Sequence, residues 1–305
     1  MDGTTEMNLI LLRPEEVAPD GTVALGGRRA RHILEVLRAA PGRVLRAGVL
    51  GGPQARAIVT GLEPGGRVRL RLEFDGEPFA AAAPRLPEPP PPVDLLLAVP
   101  RPRVLERVLA EAAAFGVGRV WLVRTWRVER SYLASRVLAP ERLQAALVRG
   151  LEQAGTTALP QVRVFPRFRP FVEDELPRLC EPGMRLLLAE PRAPRQLREL
   201  GLERHTGRVL LAVGPEGGWL PWEIACLEQA GFEPFASGRR VLRVESAVVA
   251  LLAQLAVLLP PPPGAAAGAA EARGRSARPA GAEGLVSAPE PLSPPPPPAA
   301  GGSAR

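Results

Sequence analysis

Apolar runs of four to seven residues alternate with helical patterns between residues 93 and 259, and this alternation is the strongest constraint on the fold. The runs are Val93–Val99, Arg119–Val123, Val162–Phe165, Arg185–Ala189 and Val209–Val213. The helical patterns are Arg103–Phe115, Pro140–Ala154, Pro194–Leu200 and Pro221–Ala230. Strands that lack polar alternation are buried on both faces, so the pattern predicts an α/β domain with a covered parallel sheet. A last helix, Ser246–Leu259, is apolar all round, which predicts burial in a core or against a partner subunit.

The first 75 residues follow a different pattern, with short β segments broken by turn residues. The segments are Leu9–Leu12, Thr22–Leu25, Val44–Leu50, Ala55–Leu62 and Val68–Phe74. One helical stretch, Arg28–Ala39, lies between them, and Pro41-Gly42 supplies a turn. Strands this short close most economically as a small β-barrel, which is therefore the prediction for residues 1–75.

Proline is concentrated in two segments that frame the α/β region. Of the 37 prolines, seven fall in Gly76–Pro92 and twelve in Pro260–Arg305. Such composition offers too few large side chains to offset the entropy of ordering. We therefore predict a Pro-rich linker at 76–92, an α/β domain at 93–259 and a disordered Pro/Ala/Gly tail at 260–305.

Several classes of protein are disfavoured by composition. No apolar run reaches the ~18 residues that a bilayer crossing needs, and the first twelve residues carry acids where a signal peptide needs a basic region. Two cysteines, Cys180 and Cys226, and two histidines, His32 and His205, are too few and too scattered for a zinc site or a disulfide framework. We expect a soluble cytoplasmic protein with no membrane association and no metal.

The basic excess of +7 is carried entirely by arginine, which binds phosphate in bidentate fashion and stacks on bases. Arginines are densest between Arg101 and Arg136, where eight stand against three acids and Trp121, Trp126 and Tyr132 are interleaved. This is typical of a nucleic-acid footprint. A solvated helix face followed by an ordinary strand explains the charge equally well, so both interpretations stay open.

The apolar run Val209–Val213 leads directly into Gly214-Pro215-Glu216-Gly217-Gly218, which precedes the helical pattern starting at Pro221. A loop at the carboxyl end of a parallel strand lies where open α/β sheets bind ligands, and glycines let the backbone approach a ligand closely. The loop matches neither phosphate-binding glycine pattern. On its own it indicates either a ligand loop or a plain strand-to-helix turn.

A second loop, Ser237-Gly238-Arg239-Arg240-Val241-Leu242-Arg243-Val244-Glu245-Ser246-Ala247, enters the last helix about twenty residues later. The chain thus contains a strand that ends in Gly-Pro-Glu-Gly-Gly, then a helix, then Gly-Phe, and then a Gly-x-Arg-Val-Leu-Arg-x-Glu-Ser-Ala segment. This order of motifs resembles the ribosomal small-subunit RNA uridine N3-methyltransferase family. That family belongs to the SPOUT superfamily, whose trefoil-knotted domain binds S-adenosylmethionine. The resemblance covers about residues 8–258, and it implies a C-terminal trefoil-knotted SPOUT domain preceded by a PUA-like β-barrel.

Weaker matches support the resemblance, and several positions depart from it. The matches are Arg31-His32-Ile33, Val36-Leu37-Arg38, Phe115-Gly116-Val117, Glu129-Arg130-Ser131 and Glu152-Gln153. The departures are at Glu111 and Ala114, where a basic and an acidic side chain are missing, and at Ala154 and Thr156, where an arginine is missing. They bear on the identity of the RNA target, and we expect them to affect the cofactor little.

The resemblance implies that backbone groups of the two loops hold the cofactor. The implied residues are Leu188, Gly214, Pro215, Glu216, Gly217, Gly218, Val241, Leu242 and Arg243. Because the uridine N3 proton must leave, we predict that Arg243 stabilises the charge that develops on O2 and O4, a helix cap or a dimer salt bridge being the alternative. Glu245 is the candidate base, although the helix dipole also favours a carboxylate in a first turn. His32 and His205 are poor base candidates.

The predicted RNA contacts are arginines from both regions: Arg31, Arg38, Arg101, Arg127 and Arg130. The leading hypothesis is methylation of N3 of a uridine in small-subunit ribosomal RNA, with a homodimer gripping the RNA between one subunit's barrel and the other's knot. Two alternatives are a methyltransferase acting on another ribosomal or transfer RNA nucleotide and a non-catalytic RNA-binding assembly protein. Retention of both complete loop motifs argues against the second.

Overall fold

Residues 9–74, 77–78, 92–238 and 240–260 are described in the computed structural model of this chain. The predicted tail, apart from Pro260, and nearly all of the predicted linker therefore lie outside the described residues.

The N-terminal region forms one curled mixed sheet. Its strands are β1 (Ile10–Leu12), β2 (Thr22–Leu25), β3 (Val44–Val49), β4 (Gln54–Glu63), β5 (Arg67–Phe74) and β6 (Glu77–Pro78). The order is β1-β3-β4-β5-β2, with β6 on β5; β1 and β3 are parallel and the other pairs antiparallel. All five predicted strands are confirmed. Strands β1 and β2 lie at the two ends of the sheet and do not pair with each other within the described residues, so no ladder closes the predicted barrel. Strand β6 extends the sheet past the expected boundary at residue 75.

The predicted helical stretch of this region is a short helix that changes type. Helix α1 (Gly27–Arg31) continues as a π-helical turn over His32–Val36. Ile33 is buried in the core of the curled sheet. Arg38 follows with φ = 47°, a left-handed conformation that costs a residue other than glycine or asparagine about 1–2 kcal/mol. The exposed Arg38 side chain is therefore held on a strained backbone.

The second region contains the predicted parallel sheet. Its strands are β7 (Val93–Ala98), β8 (Arg119–Val123), β9 (Gln161–Phe165), β10 (Arg185–Ala189), β11 (Val209–Val213) and β12 (Glu233–Phe235). They pair in the order β12-β10-β11-β7-β8-β9, parallel throughout. Every residue of the central strands β7 and β11 is buried, which confirms the prediction from their continuous apolar character. The short strand β12 was not predicted.

Helices cover the parallel sheet. They are α2 (Pro102–Ala114), α3 (Arg130–Leu133), α4 (Pro140–Ala154), α5 (Phe168–Pro170), α6 (Leu176–Leu179), α7 (Pro221–Gln229) and α8 (Val244–Leu258). A π-helical turn, Phe171–Glu175, joins α5 to α6. The predicted helix Pro194–Leu200 is wrong in type and extent, because only a 3₁₀ turn forms at Leu197–Leu200. Helices α2 and α4 pack so closely that a Cβ on Gly150 would overlap the carbonyl oxygen of Ala110.

Helix α8 buries one side only. Val248, Leu251 and Leu255 pack into the core beside α2 and β11. On the other side Val257 is 84% exposed. Although this helix is apolar all round, only one of its sides is therefore buried within the subunit.

A buried charge cluster lies at the amino-terminal edge of the parallel sheet, opposite the edge where Gly214 follows β11. The Asp94 carboxylate on β7 has no exposure and accepts hydrogen bonds from the guanidinium groups of Arg119 (2.6 Å) and Arg208 (2.5 Å). Burial opposes the charged form of Arg119, but the hydrogen bond and charge of Asp94 outweigh it, so the pKa of Arg119 is raised. These side chains tie three strands together.

The two regions meet along α4 and the segment after it. The Arg28 guanidinium binds the Glu152 carboxylate at 2.7 Å, and the hydroxyl of buried Thr157 donates to the carbonyl oxygen of Gly52 at 2.5 Å.

Both cysteines are free thiols, and burial raises the pKa of Cys180. No helix in the described part of the chain is long and apolar enough to span a bilayer.

Candidate functional site

A cavity of about 720 Å³ opens at the carboxyl-terminal edge of the parallel sheet. Its walls come from four separate parts of the chain, at residues 101–107, 189–191, 213–219 and 237–251. The two loops that carry the family resemblance therefore face each other across one space. This is the edge at which parallel α/β sheets bind ligands.

Most of the predicted cofactor residues line this cavity. Those that do are Gly214, Pro215, Glu216, Gly218, Val241, Leu242 and Arg243. Leu188 does not, because it is fully buried within β10, and the next residues along the chain, from Ala189 to Pro191, reach the cavity instead. Gly217 does not either, because it lies against Arg127, whose Cδ atom would be 2.9 Å from a Cβ at that position.

Two glutamates fix the shape of the first loop. The Glu216 carboxylate accepts a hydrogen bond from the backbone N–H of Arg101 at 3.0 Å. Glu223, which has no exposure, accepts from the backbone N–H groups of Leu220 and Trp126, both at 2.8 Å. Because a buried carboxylate needs such partners, Glu223 locks the start of α7 to the loop after β8. Arg127 adds a third tie by donating to the carbonyl oxygen of Gly217.

Trp219 closes the floor of the cavity and carries a buried donor with no acceptor. Its side chain is 5% exposed, and its Nε1 atom has no hydrogen-bond partner among the described residues. This atom would lie 3.0 Å from a Cβ at position 214, so only glycine fits there without displacing the indole. A glycine cradle, an unpaired indole N–H and nearby arginines suit a ligand with a polar and an aromatic part, as S-adenosylmethionine has.

The two predicted catalytic residues both line the cavity. Arg243 precedes α8 as its N-cap residue, is exposed, and forms no ion pair with any described residue. Glu245 lies in the first turn of α8 and pairs with Arg107 at 3.4 Å. Glu190 also lines the cavity and was missed by the sequence analysis. Its signal was available, because it directly follows β10 at the same edge of the sheet.

The predicted RNA contacts fall into two groups. Arg101 lines the cavity, Arg127 contacts its loop, and Arg130 begins α3 on the same exposed segment. Arg31 and Arg38 are exposed on the N-terminal region and do not line this cavity. Of the interleaved aromatic residues, Trp121 is buried in β8, whereas Trp126 is 74% exposed.

The remaining sequence candidates lie elsewhere. His205 contacts the carbonyl oxygen of Arg208 at 3.1 Å, and His32 lines a separate small cavity between the two regions. None of the departures Glu111, Ala114, Ala154 and Thr156 lines the large cavity. Within the described residues, no group of three or more histidine, cysteine, aspartate or glutamate side chains could hold a metal ion.

Comparison with known proteins places this chain in a family. The family model for an RNA methyltransferase domain matches residues 87–256, more than half of the chain. Ribosomal RNA small subunit methyltransferase E of Treponema pallidum is 32% identical over 250 residues, which cover 81% of this chain and 90% of that protein. The chain belongs to the ribosomal RNA small subunit methyltransferase E family. The protein of the same name from a Synechocystis strain is 27% identical over 82% of this chain and 77% of its own length.

Solved structures share the fold of this chain. The Neisseria gonorrhoeae ribosomal RNA small subunit methyltransferase E, bound to S-adenosylmethionine, has a TM-score of 0.65 at 24% identity and covers 83% of this chain and 98% of its own. A Legionella pneumophila protein, solved with bound S-adenosylmethionine, has a TM-score of 0.63 at 22% identity and covers 82% of this chain and 97% of its own. The α/β fold class is thereby confirmed, and the trefoil knot stays a prediction.

Proposed function

We propose that this chain methylates N3 of a uridine in small-subunit ribosomal RNA, with S-adenosylmethionine as the methyl donor. Family membership supports the coarser statement, that it is a methyltransferase of small-subunit ribosomal RNA. The observation that carries the finer proposal is the convergence of Arg243 and both glycine-bearing loops on one cavity. Arg243, which has no carboxylate partner among the described residues, lies there beside a backbone cradle, and a free cation suits transfer to a base that must become anionic.

The cofactor would be held mainly by the backbone of Gly214–Glu216, Gly218 and Val241–Arg243, with the indole N–H of Trp219 as a further donor. When bound, the cofactor supplies an electrophilic methyl group on a sulfonium, which is already a good leaving group. The chain must therefore orient the reactants and manage charge. Glu216 and Glu223 serve this orientation by holding the first loop against Arg101 and Trp126.

We assign Arg243 the role of stabilising the negative charge that develops on the base. Glu245 would accept the N3 proton. The first assignment is supported by the exposure of Arg243 in the cavity and its lack of a described ion-pair partner. The second is supported by the position of Glu245, which lies two residues after Arg243 in the first turn of α8 and lines the same cavity. Its ion pair with Arg107 orients the carboxylate, and the same contact would serve a purely structural role.

The RNA would approach over Arg101, Arg127 and Arg130, which lie at or beside the cavity, and would extend to Arg31 and Arg38 on the N-terminal region. Guanidinium groups bind phosphate oxygens strongly and without sequence preference, so these contacts would position the substrate.

The decisive experiment compares small-subunit ribosomal RNA from cells with and without the gene by mass mapping, and then treats the unmodified RNA with the purified protein and labelled cofactor. We expect one uridine to lose its methyl mark without the gene and to regain it in vitro, with N3 as the modified atom. Methylation of another atom or nucleotide would contradict the N3 assignment. Binding of RNA without any transfer would favour the assembly-protein alternative.

Replacing Gly214 by valine is expected to weaken binding of S-adenosylmethionine by roughly 5- to 150-fold, from an overpacking cost of about 1–3 kcal/mol. The new side chain would enter the cavity at the point where Cβ already meets Trp219 at 3.0 Å. Isothermal titration calorimetry measures the change. Gly217→Val is the matched control, because its Cβ meets the flexible side chain of Arg127 outside the cavity. Equal losses in both variants would contradict the site.

We further propose that the active species is a homodimer that uses the open side of α8. That side carries Val257 at 84% exposure together with exposed Ala253 and Ala256. An exposed apolar helix face marks an interaction surface. Light scattering is expected to give twice the monomer mass, and Val257→Arg is expected to shift the protein towards monomer. A fully active monomeric wild type would contradict this arrangement.

A further inference from the structure

An exposed tryptophan stands on a rigid part of the backbone next to the cavity. The side chain of Trp126 is 74% exposed, whereas its neighbours Thr125 and Val128 are 1% and 3% exposed. The backbone N–H of Trp126 donates to the buried Glu223 carboxylate at 2.8 Å. The backbone is therefore held in place on both sides of Trp126, although its indole ring is exposed to solvent.

The ring has no internal role that explains its presence. Among the described residues, Trp126 makes no aromatic or cation–π contact, while Trp222 at the same corner packs edge-on against Phe168 with ring centroids 5.5 Å apart. Leaving a large apolar ring in water forgoes the stabilisation that burial would give. Rigid, solvent-facing aromatic rings on positively charged surfaces are the platforms on which proteins stack unpaired bases.

The charges around Trp126 favour a nucleic acid over an acidic or apolar partner. Arg124, Arg127 and Arg130 lie within four residues of it along the chain, and Glu129 is the one acid in that segment. Arg127 also donates to the carbonyl oxygen of Gly217, in the loop that forms the cavity wall. The ring therefore stands one residue from a direct contact with the candidate cofactor loop.

We propose that Trp126 stacks on an unpaired RNA base next to the target nucleotide and thereby positions the substrate. This inference rests on the proposed function, because N3 lies on the Watson–Crick edge and can be methylated only when the base is unpaired and turned out of its stack. The base next to the target nucleotide then loses its stacking partner. An indole ring replaces that partner and holds the strand open beside the cavity.

The test measures binding of an eight-nucleotide oligouridylate across a salt series, for wild type, Trp126→Ala and Trp126→Phe. We expect Trp126→Ala to weaken binding by roughly 5- to 150-fold with an unchanged salt slope, because stacking is not electrostatic, and Trp126→Phe to recover most of the loss. Arg130→Gln is the matched control from the same segment. It is expected to reduce the slope by about one unit, as the loss of a phosphate contact does.

Further readouts separate this proposal from a structural role and from the proposed function. Affinity for S-adenosylmethionine and the melting temperature of Trp126→Ala are expected to match wild type, and KM for RNA is expected to rise more than kcat falls. Unchanged RNA binding, no recovery by phenylalanine, or conversion of a dimer to monomer would overturn the proposal. If Trp126→Ala behaves as expected while the methyl group is found away from N3, the stacking role stands and the N3 assignment fails.

Discussion

Arg243→Ala is expected to lower the rate of methyl transfer by about 10²–10³-fold, the usual effect of removing one donor that stabilises a developing anion. Arg243 lines the cavity, is exposed to it and has no ion-pair partner among the described residues, so its charge is available to the base. The interaction strengthens as the base becomes anionic. The loss should therefore appear in kcat, while affinities for RNA and cofactor stay close to wild type. Single-turnover transfer of a labelled methyl group measures it.

Arg240→Ala is the matched control for this prediction. Arg240 lines the same cavity and belongs to the same loop, but it lies three residues before the N-cap position of α8. We expect it to change the rate by less than about tenfold, since a cation away from the reacting atoms contributes mostly to binding. Turnover of Arg243→Ala within a factor of three of wild type would refute the role assigned to Arg243.

Asp94→Ala is expected to lower the free energy of unfolding by about 3–5 kcal/mol, because it removes the buried carboxylate that two partly buried guanidinium groups share. Arg119 keeps its ion pair with Glu181 at 2.9 Å, whereas Arg208 loses its carboxylate partner. Asp94 has no exposure, and it receives hydrogen bonds from both the Nε and an Nη atom of Arg119 and of Arg208. Gly118 leaves room for this arrangement, since a Cβ there would lie 2.6 Å from the Arg208 guanidinium. Urea denaturation followed by circular dichroism measures the change.

A triple variant tests whether the loss comes from uncompensated charge. Asp94→Leu, Arg119→Met and Arg208→Met together remove the three buried charges while keeping similar volume, and such replacements of buried ion clusters are often neutral or stabilising. Glu181, the second partner of Arg119, has a half-exposed side chain and is left facing solvent. We expect the triple variant to be at least about 2 kcal/mol more stable than Asp94→Ala. A single variant as stable as wild type would show that the cluster contributes nothing.

The parallel sheet was predictable because the continuous apolar sequence of its central strands indicates burial on both faces. Val209–Val213 contains no polar residue and was predicted to the residue. Strand β12, by contrast, contains Pro234 within only three residues, and its pairing with β10 depends on tertiary contacts that no local pattern reports. Helices α5 and α6 were missed although Phe168, Phe171, Val172 and Leu176 are buried at helical spacing, because Pro170 and Pro177 interrupt the pattern.

The position of the candidate site was predictable at the level of loops and less so at the level of atoms. Strand ends of a parallel sheet must meet at one edge, so the glycine loop could be placed without a structure. The sequence could not distinguish Gly214, which faces the cavity, from Gly217, which faces Arg127, because that depends on how the turn is tied by Glu216 and Glu223. The sequence likewise could not show that the indole N–H of Trp219 has no partner among the described residues.

The four walls of the cavity are far apart along the chain, and this spacing has a consequence for how the protein is made. Residues 101–107 are synthesised long before residues 237–251, yet both are needed to enclose the space, and the ion pair between Arg107 and Glu245 spans 138 positions. Contacts of such long range form late in folding, because loop closure must come first. The cavity is therefore complete only once α8 has packed beside α2, and a bound cofactor would stabilise that late contact.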